Sequence, residues 1–87
     1  MTLQKTITVG GKEYVIQKVP PREWTRMRDR SKDRNGNIVE ERLIDEMFKH
    51  MVIDPKVSMD DFEDWAEVQD IFDAVAAFQL GRHYRAE

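Results

Sequence analysis

Apolar and polar residues alternate over KTITVGGKEYVIQKV, residues 5–19; further along, apolar positions recur every three or four residues. The alternating stretch predicts two strands. Residues 6–9 and 14–19 are rich in β-branched and aromatic side chains, and the Gly10-Gly11 pair between them is a two-residue hairpin signal. Neighbouring side chains of a strand face opposite ways. Ile7 and Val9 therefore share one face, Tyr14 and Ile16 share one face, and Val15 takes the other. A lone hairpin is marginal in water, so one of its faces has to lie on helices.

Pro20-Pro21 ends the second strand, and proline suits the first turn of a helix. REWTRMRDRSK (22–32) reads as that helix, with Trp24 and Met27 turned inward and a dense row of cations outside. IVEERLIDEMFKHMVI (38–53) carries the strongest helical pattern. Val39, Leu43, Met47 and Met51 repeat every four residues, flanked by Ile44, Phe48 and Val52. Asp54-Pro55 stops it, because a residue before proline avoids the α region. Ser58 then caps a new helix, with Asp61 three residues on. No Gly or Pro interrupts residues 58–80, yet Phe62 and Ile71 fall about 180° apart on an ideal helix. Both need burial, which predicts a short helix with Phe62 and Trp65, a break near Ala66, and a last helix with Val68, Ile71, Phe72, Val75, Ala76 and Phe78. Gly81 caps it. The expected architecture is α+β, an N-terminal β-hairpin packed on three to four α-helices. The 87 residues divide into a hairpin (1–19), a helical part (20–81) and a flexible tail (82–87) within one domain.

SKDRNGNIVEER (31–42) resembles a calcium-binding loop at first sight. With Gly36 at the sixth position, Asp33 and Asn35 fall on ligand positions and Ile38 on the hydrophobic one. Ser31 is a poor first ligand, and Arg42 stands where the bidentate carboxylate belongs. The stretch reads instead as an Asn35-Gly36 turn, with Asn37 as the cap of the helix that follows.

Composition removes several chemistries. The absence of cysteine excludes disulfides, thiolate metal sites and a cysteine nucleophile. No apolar run reaches membrane-spanning length and no signal-peptide core is present, so a cytoplasmic protein is expected. The net charge of −3 hides an asymmetry: residues 1–36 hold nine Lys/Arg against four Asp/Glu, a net of +5, and residues 37–87 hold five against thirteen, a net of −8. Such polarity suits head-to-tail self-association or docking onto charged partners, as well as plain solubility.

No nucleophile elbow, Walker loop or dinucleotide fingerprint occurs, and His50 and His83 lack ligand-spaced partners. No catalytic residue, cofactor or metal site is expected. The basic helix could track phosphates, but Glu23, Asp29 and Asp33 interrupt it and the sequence pI is about 5.4. Protein binding is the better reading. Tryptophan, tyrosine and arginine are the usual interface anchors, which makes Trp24, Arg26, Arg28, Arg30, Trp65 and Tyr84 the candidate partner interface.

The order of four segments resembles the short tail assembly chaperones of long-tailed bacteriophages and related prophages. These segments are GKEY at 11–14, the DRNGN turn at 33–37, VIDPK at 52–56 and DDF at 60–62. The resemblance covers nearly the whole chain. It implies a non-catalytic protein of the bacterial host cytoplasm that coats the tape-measure protein before the tail tube polymerises. The major tail protein then displaces it, and it is absent from the virion. Longer forms made by ribosomal frameshifting are common in that family. The resemblance brings no residue-level binding motif. A small prophage nucleic-acid-binding or regulatory module, and a minor tail structural protein, are the alternatives.

Overall fold

Gly10 and Gly11 take φ of +60° and +78°, the left-handed conformations that turn the chain back on itself between β1 (Gln4–Val9) and β2 (Lys12–Gln17). The computed structural model describes residues 3–81; the expected tail, 82–87, lies outside them. Ile7 pairs with Tyr14 across the antiparallel ladder, and Lys5 with Ile16. Ile7, Val9, Tyr14 and Ile16 are buried on one face, while Thr6, Thr8 and Glu13 are exposed on the other, as the alternation requires.

A third strand extends this sheet. β3 (Val52–Asp54) pairs antiparallel with β2, giving the order β1-β2-β3, with an irregularity between Val15 and Ile16. This corrects the expected helix over 38–53. Helix α2 occupies only Glu40–His50, and the Met51 amide closes its last bond to the Met47 carbonyl at 2.8 Å. The Gln17 amide donates to the Met51 carbonyl at 2.8 Å, so the sheet takes over where the helix stops. Met51 and Val52 are buried either way, which is why their helical spacing misleads. The Lys56 ammonium closes the junction, donating to the carbonyls of Lys49 at 2.7 Å and Val52 at 2.9 Å. Helix C-termini leave such carbonyls without partners.

Helix α1 (Pro21–Arg30) starts on a proline, whose missing N–H costs nothing in a first turn. Met27 is its one fully buried residue, and Trp24 is half-buried against the core. Ser31 follows, completely buried, its hydroxyl donating to the Met27 carbonyl at 2.8 Å. The next loop is held by Asp33, whose Oδ1 accepts from the amides of Asn35 (2.8 Å) and Asn37 (3.0 Å), with Gly36 at φ +86°. Asn37 therefore does not cap α2. Its amide is bound to Asp33, Ile38 bridges to Lys32 as extended chain, and the helix begins two residues later with Val39 at its cap position.

The segment 58–80 breaks, though earlier than its spacing predicts. Met59–Asp61 forms one 3-10 turn, with the Asp61 carboxylate accepting from the Ser58 amide at 2.8 Å. Phe62 is extended, and α3 (Trp65–Leu80) starts before Ala66 rather than after it. Phe62 meets the ring of Phe48 at 5.7 Å and that of Tyr14 at 6.3 Å, while Ile71 is fully buried. Both residues are thereby accommodated. Trp65 belongs to the long helix, not to a short one with Phe62. Val68, Ile71, Val75 and Ala76 line the buried side of α3, and Gly81 follows as its cap.

Candidate partner-binding surface

Two elements carry the described members of the candidate interface. Trp24, Arg26, Arg28 and Arg30 lie on α1, and Trp65 opens α3; Tyr84 is outside the described residues. Helix α1 packs on α2, whereas α3 packs on β1, β2 and α2. The five described residues therefore sit on two separate helices, each of which packs on α2.

Their environments differ as well. The Arg30 guanidinium donates to Glu46 at 2.7 Å and Glu23 at 3.0 Å, so its charge is spent inside the molecule, and its pKa is raised chiefly by those hydrogen bonds. Its role is to hold α1 to α2. Trp24 is partly buried, packed against the core. Arg26 and Arg28 are exposed, and among the described residues they have no carboxylate within ion-pairing distance; the same holds for Arg22 and Arg34. Trp65 is 50% exposed, unusual for the largest apolar side chain.

Two open hollows flank these residues, and they have opposite character. One, of about 430 Å³, is lined by Pro21, Arg22, Thr25, Arg26 and Asp29, a single face of α1. The other, of about 260 Å³, is lined by Lys12, Asp61, Phe62, Glu63, Asp64 and Glu67, the last two flanking Trp65 in the chain. Glu67 lies against the hairpin turn: a Cβ added to Gly10 would come within 3.0 Å of its Oε2. Burial, and then the Glu67 carboxylate, push the Tyr14 hydroxyl above its ordinary range.

Two further features escaped the sequence reading. The Gln79 side chain acts as a stand-in peptide group, accepting from the Val19 amide at 2.9 Å and donating to the Val19 carbonyl at 2.8 Å. Lys5 and Lys18 lie over the Phe78 ring, at 5.8 and 5.2 Å from its centroid. These contacts seat the C-terminal end of α3 against the open end of the hairpin. A glutamine on a helix gives no local sign of such a partner sixty residues away.

Among the described residues no group of three or more His, Asp or Glu side chains is placed to hold a metal ion, and no helix is long and apolar enough to cross a membrane. Comparison with protein-family models, curated proteins and solved structures yields no match.

Proposed function

We propose that this chain is a non-catalytic assembly chaperone of phage tails that binds the tape-measure protein in the host cytoplasm while the tail tube is built. The observation that carries the reading is the surface around the start of α3. A half-exposed tryptophan opens the helix there, and its chain neighbours Asp64 and Glu67 line an acidic hollow with Phe62 in its wall. An aromatic anchor of this kind suits the apolar face of a partner helix, with carboxylates around it to meet cations at its edge. Weak contacts of this size become effective when many copies line one long polypeptide.

The resemblance in sequence adds support, because each shared segment does structural work. Residues 11–14 close the hairpin and start β2. Residues 33–37 form the loop held by Asp33, 52–56 make β3 and the lysine closure of α2, and 60–62 make the turn that delivers Phe62.

The test is a pull-down with a cognate tape-measure fragment across several salt concentrations. Association is expected, and Trp65→Ala should weaken it by about tenfold or more without unfolding the chain. Failure of the wild-type chain to associate at any salt concentration would overturn the proposal. Tight, salt-dependent binding to oligonucleotides would favour a nucleic-acid module instead, and recovery of the chain from purified virions a structural tail protein.

A further inference from the structure

The two edges of the sheet are built differently. The order β1-β2-β3 leaves β1 and β3 outermost. β3 is three residues long and runs into Pro55, so it offers little to another strand. β1 has six residues, no proline, and unbroken register with β2. The Lys18 amide donates to the Leu3 carbonyl at 2.9 Å, and the two-residue turn makes Val9–Lys12 a bonded pair. Bonded and unbonded pairs alternate along an antiparallel ladder. The odd-numbered residues of β1 therefore bond to β2, while Gln4, Thr6 and Thr8 turn their N–H and C=O groups outward. Among the described residues no backbone or side-chain group bonds these outward groups. A charged side chain commonly guards such an edge. Lys5, the one charge on β1, instead lies over the Phe78 ring. Burial shows the same opening: Ile7 and Val9 are the least buried members of the core, and Leu3, two residues before Lys5, is 55% exposed.

We infer that β1 takes up an extended segment of a partner protein as a further, antiparallel strand along Gln4–Val9. The outward groups of Gln4, Thr6 and Thr8 form the ladder, and the side chains that alternate along it select the segment. On the core side, Leu3, Ile7 and Val9 make an apolar row that fits β-branched or aliphatic residues at every second position. On the other side, the exposed Thr6 and Thr8 fit small polar residues. Charge sets the direction. Lys5 and Lys18 stand at the open end of the hairpin, with no carboxylate in ion-pairing distance among the described residues. At the turn end Glu67 lies against Gly10 and shares the acidic hollow with Asp61, Glu63 and Asp64. An antiparallel segment enters at the turn end, so it carries a cation first and a carboxylate last. A helix cannot fill this place, because its own turns consume the N–H and C=O groups that the ladder needs. The inference does not depend on the tape-measure reading, which places its contact at Trp65.

Amide hydrogen exchange on the full chain, read residue by residue by NMR, tests it. The probes are two capped peptides as long as β1, both alternating valine and threonine. One has lysine first and glutamate last, and the other has the reverse. The Thr6 and Thr8 amides should exchange fast in the free chain, and the lysine-first peptide should slow them about tenfold or more. The glutamate-first peptide should bind about tenfold more weakly, and K5E/K18E should reverse that order. Thr6→Pro removes an outward donor without touching the β1–β2 ladder and should weaken binding about tenfold or more, with circular dichroism confirming the fold. If Thr6→Pro does not fold, N-methylation of the lysine-first peptide decides. Methyl groups on the amides that face β1 must abolish binding, and methyl groups on the alternate amides must leave it. Thr6 and Thr8 amides that neither peptide slows, undiminished binding by a folded Thr6→Pro, or equal binding of the two methylated peptides each overturns the inference. Equal binding of the two unmethylated peptides overturns the assigned direction. Thr6 and Thr8 amides already slow in the free chain, and slower as its concentration rises, would show a second copy on the edge and overturn the partner assignment.

Discussion

Helices α1 and α2 are nearly equal in length, ten and eleven residues, yet they are held by different forces. Helix α2 buries Ile44, Met47 and Phe48 and touches α1, β3 and α3. Helix α1 buries Met27 alone. Its remaining hold is the half-buried Trp24, the Ser31 hydroxyl on the Met27 carbonyl, and the Arg30 fork onto Glu23 and Glu46. The difference teaches how a chain of this size presents a surface. One helix fills the core, and the other is fastened at a few points so that its outer positions are free to carry cations.

The largest effects should come from the core helix. Met47→Ala removes a fully buried side chain and should cost about 2–5 kcal/mol. That is a large share of the roughly 4–13 kcal/mol expected of a domain this long. Urea unfolding followed by circular dichroism measures it. Met27→Ala, equally buried but on the peripheral helix, should cost less, because the helix can settle inward to fill part of the space. Equal losses at the two positions would break the contrast between the helices.

A smaller effect is expected at Ser31. Ser31→Ala withdraws the hydroxyl from the Met27 carbonyl and should cost about 1–2 kcal/mol. Native-state hydrogen exchange sharpens the point. Amides of α1 should exchange through openings about 1–3 kcal/mol below global unfolding, while those of α2 near Met47 should follow the global limit. In Ser31→Ala the α1 openings should become easier still and the α2 amides should shift only with overall stability. Matching protection in both helices would mean that α1 is as firmly held as α2.

How far the sequence could be read depends on the range of the interactions involved. The hairpin, its inward face and the Phe62–Ile71 conflict were legible because each follows from local periodicity and one turn signal. The end of α2 was not, since Met51 and Val52 satisfy the burial pattern as helix or as strand. The available hints were the β-branched Val52-Ile53 pair and a proline two residues on. The start of α3 has a local signal, Asp64 followed three residues on by Glu67 at capping-box spacing, although the Asp64 side chain makes no capping bond in the fold. At the candidate surface, residue type alone could not separate Arg30, tied to two carboxylates, from Arg26 and Arg28, which have none nearby among the described residues. That distinction depends on α2 being brought beside α1, which no local pattern encodes.

The smallest expected effect is electrostatic and again separates the helices. Hydrogen bonds from Arg30 hold the Glu46 carboxyl below its ordinary value of 4.5, against an opposing contribution from burial, with the Arg30, His50 and Lys49 charges adding to the lowering. Because the folded value lies below the unfolded one, the stabilisation is fully present above about pH 4.5 and fades as pH falls through the lower folded value. Arg30 is 44% exposed at its side chain and solvent screens the pair, so the gain is small. Glu46→Gln should therefore flatten the acid side of the stability–pH curve by that small amount and leave stability at neutral pH only slightly reduced. It should also speed hydrogen exchange in α1 more than in α2, because the ion pair fastens the peripheral helix to the central one. An acid limb identical to wild type, or a loss concentrated in α2, would show that the Arg30 fork does not tie α1 down.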